Sequence, residues 1–97
     1  MVGLGVVRVG IDVCTGHDGF DPRPAVTGSP DVFCDGYPVV RVGDQWMVHT
    51  DHHSSHDGQG IGGSSTVFCN GLPVMRSLDP INCGSVVAIG STDVFCG

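Results

Sequence analysis

Three copies of one short segment restrict the folds open to this chain more than any other feature. The copies read GSPDVFCDG at 28–36, GSSTVFCNG at 63–71 and GSTDVFCG at 90–97. Continuations of the first two follow as YPVVRVGD (37–44) and LPVMRSLD (72–79), and a third stands near the beginning as LGVVRVGID (4–12). One unit is thus split between the two ends. We therefore expect the last strand to pair with the first and close a ring of three units, which removes an exposed sheet edge.

Each unit has the signature of a β-hairpin. Asp35-Gly36 and Asn70-Gly71 stand between short apolar runs, and such pairs are the strongest local hairpin signal. The chain has 16 Gly but no Lys and no Glu. Glu and Lys are good helix formers, whereas Gly favours turns. The sequence excludes an all-α fold and predicts an all-β domain of three pseudo-threefold hairpin repeats over residues 1–97.

Alternation in the Val-Phe-Cys runs predicts a cysteine side and a phenylalanine side of the ring. The cysteines concerned are Cys34, Cys69 and Cys96, and the phenylalanines are Phe33, Phe68 and Phe95. We interpret these cysteines as small buried hydrophobes, with a second metal site or a redox role as the alternative.

Charge also follows the repeat. Three of the four arginines are equivalent and each precedes an aspartate by three or four residues, which predicts one ion pair per unit: Arg8 with Asp12, Arg41 with Asp44 and Arg76 with Asp79.

Net charge and hydropathy exclude several classes of protein. The formal charge of −6 argues against a nucleic-acid-binding face, which is basic. No apolar run approaches the roughly 18–20 residues of a membrane span, and the N-terminus does not have the pattern of a signal peptide. Five cysteines in a chain expected in the cytosol favour free thiols or metal ligands over disulfides.

The loops after the aspartate that recurs in each unit carry potential metal ligands at matched distances. His17 and His49 each follow the aspartate by five residues, and Cys83 follows by four. Three imidazoles and one thiolate suit a closed structural Zn²⁺ site, which a small core would need. The fourth ligand is either His56 or the pair His52 and His53. Cys14 is a rival ligand.

Catalysis has little support in the sequence. Because the chain lacks Glu, the general base of a zinc hydrolase would be Asp51 or Asp57. We interpret both as solvated loop residues. The chain is therefore predicted not to be an enzyme, with a small zinc hydrolase as a minor alternative.

Taken together, the three GS-x-x-VFC segments, the segment PVVRVGD at 38–44 and the spacing of His and Cys resemble the PAAR-repeat proteins, the tips of contractile injection machines. Val39-Val40 and Val74-Met75 replace the alanine pair of the family motif, and Leu78 replaces a glycine. The resemblance implies a small cone stapled by zinc through His17, His49, Cys83 and His56.

The resemblance further implies a mechanical function. Such proteins cap a homotrimeric β-helical spike, one tip per trimer, and sharpen it for transient contact with the target cell envelope. The location implied is a phage tail tip or a secretion spike assembled in the cytoplasm, here as a single domain without an effector extension. Candidates for the spike-binding base are Val2, Leu4, Leu72 and Val94. A stand-alone zinc-binding β adaptor is the alternative.

Overall fold

The computed structural model describes the backbone of residues 3–16, 21–50 and 55–97, with side chains outside 49–50 and 55–57. This part of the chain contains only short strands, and none of it forms a helix long and apolar enough to cross a membrane. The strands are β1 (Leu4–Gly5), β2 (Phe33–Cys34), β3 (Tyr37–Pro38), β4 (Gln45–Thr50), β5 (Ser55–Gln59), β6 (Phe68–Cys69), β7 (Leu72–Pro73) and β8 (Phe95–Cys96). The all-β prediction is confirmed.

Two of the three repeat hairpins close with the turns that the sequence predicts. Asp35 and Asn70 both have φ of 55°, and Gly36 and Gly71 follow with φ of 85° and 79°. Positive φ at both central positions defines a type I′ turn, whose twist matches that of the flanking strands. These turns join β2 to β3 and β6 to β7 in antiparallel pairs.

The third hairpin is assembled from the two ends of the described chain. Strand β1 pairs antiparallel with β8, with Leu4 opposite Cys96. Three backbone hydrogen bonds then connect the units in a closed triangle: Val7 N–H donates to Met75 O (3.1 Å), Met75 N–H to Val40 O (3.0 Å) and Val40 N–H to Val7 O (3.0 Å). The predicted ring closure is confirmed.

The triangle separates two small hydrophobic cores. Its own side chains, Val7, Val40 and Met75, are fully buried in a larger cluster with Trp46, Ile81 and others. The preceding residue of each unit packs in a second cluster with the repeat cysteines, namely Val6, Val39 and Val74 with Cys34, Cys69 and Cys96. Neighbouring residues of an extended chain point in opposite directions, so each unit contributes to both cores.

The predicted arginine–aspartate pairs recur in every unit with the same geometry. In the first, Arg8 donates to Asp12 from Nε (2.8 Å) and from a terminal nitrogen (2.8 Å), and the Arg8 backbone N–H donates to the same carboxylate. Asp44 and Asp79 are held in the same way. Each buried aspartate thus satisfies a turn backbone as well as a guanidinium group.

Candidate functional site

One end of the ring is an apolar concave surface formed by all three units, which we call the cup. It has a volume of about 360 Å³ and is lined by Val-Phe-Cys residues of each copy together with Val6, Val39 and Val74. Its three phenylalanines, Phe33, Phe68 and Phe95, are 57%, 57% and 55% exposed. A soluble protein seldom exposes so much clustered aromatic surface unless a partner covers it.

The three thiols of the cup are wholly or partly buried. Burial raises the pKa of Cys34 and of Cys96, which keeps both protonated at neutral pH. The Cys69 thiol donates to the Asn70 side chain at 3.1 Å. This environment supports the interpretation of these cysteines as small hydrophobes rather than thiolate ligands.

Polar side chains of the turns join neighbouring units around the rim of the cup. The Asn70 amide donates to Asp31 (2.8 Å), and this bond, together with one from Ser29, lowers the pKa of Asp31. At the next junction Ser91 donates to Asp35 (2.6 Å), and this bond is the main cause of the lowered pKa of Asp35.

The third junction has no turn side chain, because Gly97 occupies that position. There Ser64 donates to the Gly97 backbone carbonyl oxygen. Ser29, Ser64 and Ser91 are equivalent and buried, and each hydroxyl also accepts two backbone N–H groups of its own turn. Sequence reasoning missed this role, although the invariant Gly-Ser of the three copies marks it.

The four residues predicted to bind a partner do not form one surface. Val94 lines the cup and is exposed. Leu72 is exposed on β7 outside the cup lining, and half-buried Leu4 lines a separate lateral groove. Val2 lies outside the described residues. Partner binding by these four residues stays a prediction, and the phenylalanines are the more prominent feature of the surface.

The predicted metal ligands that the structure describes lie beside the larger core, on the side away from the cup. Strands β4 and β5 pair antiparallel, and an irregularity after Trp46 adds one residue to β4. This bulge places His49, rather than Val48, opposite His56. The Cys83 sulfur lies 3.4 Å from the point where a Cβ on Gly58 would stand, two residues along β5 from His56.

Cys83 itself is half-buried against the larger core, and its sulfur is 3.1 Å from the Ser85 hydroxyl. Cys14, the rival ligand, is buried in the same core, where its sulfur accepts the Arg23 backbone N–H at 3.3 Å. The remaining candidate ligands His17, His52 and His53 lie outside the described residues. The candidate general base Asp51 and the side chain of its alternative Asp57 also lie outside them. Within the part of the chain that the structure describes, no group of three or more His, Cys, Asp or Glu side chains is arranged so that it could hold a metal ion.

Comparison with known proteins identifies one family. The model of the PAAR motif matches residues 15–89, which is most of the chain. A search of curated proteins gave no match. The matched segment spans the two uninterrupted units and includes His17, His49, His56 and Cys83.

Proposed function

The chain belongs to the PAAR-motif family, whose members are structural tips of contractile injection systems, and we propose that it caps a homotrimeric β-helical spike as a non-enzymatic tip. One tip covers one trimer and sharpens it for passage through a target envelope. The setting is a phage tail or a type VI secretion machine. The cup is the observation that carries this proposal.

Symmetry supports the assignment of the cup as the spike-binding face. A trimer presents three identical surfaces around its axis, and a single chain can match them only if it repeats its own surface three times. Phe33, Phe68 and Phe95 do so with nearly equal exposure. A stand-alone zinc adaptor would have no use for such a surface, so the cup favours a spike partner over that alternative.

We propose that zinc stabilises the end away from the cup, bound by His17, His49, Cys83 and His56. The pairing of His49 with His56 and the position of the Cys83 sulfur beside Gly58 support this set. Imidazole nitrogen and thiolate sulfur are the donors that structural zinc prefers. Bound zinc would cross-link the loops, and its binding free energy would add directly to the folding free energy of a domain with small cores.

Assembly with a spike tests the docking proposal. The tip is mixed with the recombinant trimeric β-helical spike of the same injection system, and the mass of the complex is measured by light scattering after size exclusion. We expect one tip per trimer. Phe68→Asp should abolish the complex, whereas Ile61→Asp, at an equally exposed site outside the cup lining, should leave it intact. Equal effects of the two substitutions on a folded protein would contradict the proposal.

Metal content tests the zinc proposal independently. Protein purified without chelators or a histidine tag should contain one zinc per chain by elemental analysis. Cys83→Ala should lose the metal and melt at a markedly lower temperature. Cys69→Ala removes a buried thiol of the cup and should keep the zinc. Retention of zinc by Cys83→Ala would show that the ligand set is wrong.

A further inference from the structure

The rim of the cup carries an excess of negative charge, because the described arginines neutralise only part of it: Arg8 alone pairs with both Asp12 and Asp35. We infer from it that the partner surface has apolar side chains on its axis and Lys or Arg side chains around them. This inference depends on the proposed function, because it describes the chemistry of the spike end that the cup receives.

In the described part of the chain, each arginine of the three units is already paired and offers a partner no free cation. Arg8, Arg41 and Arg76 each hold the aspartate of their own unit through two side-chain nitrogens. Arg8 also contacts Asp35 at 3.0 Å. Bidentate pairing of this kind fixes the guanidinium plane and directs its charge inward.

Acidic side chains therefore determine the charge of the rim. Asp31 and Asp93 are equivalent and exposed, and each immediately precedes a valine that lines the cup. Asp35 is part of the lining itself and shares Arg8 with Asp12, so one guanidinium group faces two carboxylates there. The second unit has neutral residues at these positions, Thr66 and Asn70. The acidic charge is thus confined to the first and third units.

This arrangement distinguishes a basic partner from a second copy of the chain. Two copies meeting face to face would bring their acidic rims together, which disfavours association. A surface with basic groups around an apolar centre would gain attraction at the rim and fill the cup with apolar atoms. Charge complementarity thus selects a basic trimer as the occupant.

The uneven charge has a consequence for a homotrimer. Each of its three chains would offer the same basic residue, yet only two would meet an acidic unit. The third would face Thr66 and Asn70. The affinity for the trimer should therefore fall with added salt through the loss of two of the three charged contacts. The rim aspartates should also affect the rate of association more than the apolar contacts do.

Two small amphiphiles with the same chain test the inference on the folded tip. Octyltrimethylammonium and octyl sulfate are titrated separately below their micellar concentrations, and binding is followed by the NMR signals of residues 32–34, 67–69 and 94–96. At low salt we expect the cation to bind at least about fivefold more tightly than the anion, and this ratio to fall towards one at about 1 M salt.

Matched variants locate the effect. Asp93→Thr gives the third unit the residue of the second and should reduce the cation-to-anion ratio about two- to threefold. Asp21→Thr changes the net charge equally at an exposed site outside the cup lining and should leave the ratio unchanged. An equal effect of both would show that overall charge, not the rim, sets the preference.

The remaining outcomes separate this inference from the proposed function. Equal binding of both amphiphiles at the cup would overturn the basic-partner inference and leave the apolar docking face standing. Binding of neither would overturn the inference and weigh against the cup as an apolar receptor. Self-association through the cup would identify a second copy as its occupant.

Discussion

Leu78 occupies a position whose backbone conformation suits glycine, and this gives a sharp test of the repeat alignment. Its φ is 74°, and the equivalent residues Gly10 and Gly43 have φ of 85° and 95°. Any residue with a Cβ is disfavoured there. The Leu78 side chain is 64% exposed, so it makes little contact that could offset the strain.

Comparison of Leu78→Gly with Leu78→Ala isolates the backbone contribution, since both variants lose the leucine side chain. Left-handed backbone costs a residue with a Cβ about 1–2 kcal/mol. Glycine gives back about 0.4–1 kcal/mol through the greater freedom of its unfolded chain. We therefore expect the glycine variant to be more stable than the alanine variant by about 0.5–1 kcal/mol, the reverse of the usual order at exposed helical sites.

Thermal unfolding followed by circular dichroism measures this difference as roughly 2–8 °C in melting temperature for a domain of this size. Gly43→Ala is the reciprocal variant. A Cβ at Gly43 meets no atom within 4 Å, so its loss of stability should come from the backbone alone and be of similar size. If Leu78→Ala proved as stable as Leu78→Gly, the assignment of strain to this turn would be refuted.

Three further predictions concern the aspartates, the buried serines and the close packing of the larger core. Burial tends to raise the pKa of Asp44, but hydrogen bonds from its arginine partner outweigh this effect and the net pKa is lowered. The stability that Asp44 contributes should therefore be complete above about pH 4 and be lost as the pH falls through the folded-state pKa. The urea midpoint should decline over this range, and Asp44→Asn should make it less dependent on pH. Ser64→Ala should lower the free energy of unfolding by about 1–2 kcal/mol because two backbone N–H groups lose their acceptor. Ser65→Ala, at an exposed neighbouring site, should change it by less than about 0.5 kcal/mol, and denaturant titrations measure both variants. Gly60→Ala should cost about 1–3 kcal/mol because its Cβ would overlap the buried sulfur of Met75. Adding Met75→Val, the residue of the other two units, should recover part of that loss in a double-mutant cycle. Purely additive effects of the two substitutions would be evidence against this contact.

The features that the sequence predicts well are those encoded within one repeat. Asp35-Gly36 and Asn70-Gly71 specify their turns locally, and the pairing of each arginine with its aspartate spans only three or four residues. Ring closure was predictable because the third unit is divided between the chain ends. Repetition supplied long-range information that a single copy could not.

The contacts between units were not predictable in the same way. Nothing local indicates that Asn70 reaches Asp31 or that Ser91 reaches Asp35, since these residues meet only when the ring is assembled. The bulge that aligns His49 with His56 likewise depends on the packing of β4. Alternation predicted separate cysteine and phenylalanine sides, but residues of both types line the cup, which forms only where the three units pack around one axis.

The pairing of β1 with β8 also determines the order in which the molecule can fold. Leu4 and Cys96 are separated by 92 residues, whereas Cys34 and Tyr37 of the first hairpin are separated by three. The entropy of closing the longer loop adds about 3 kcal/mol to the barrier, relative to a hairpin. The two continuous hairpins can therefore form early, and the ring is sealed in a late step whose long contact distance makes folding slow for so short a chain.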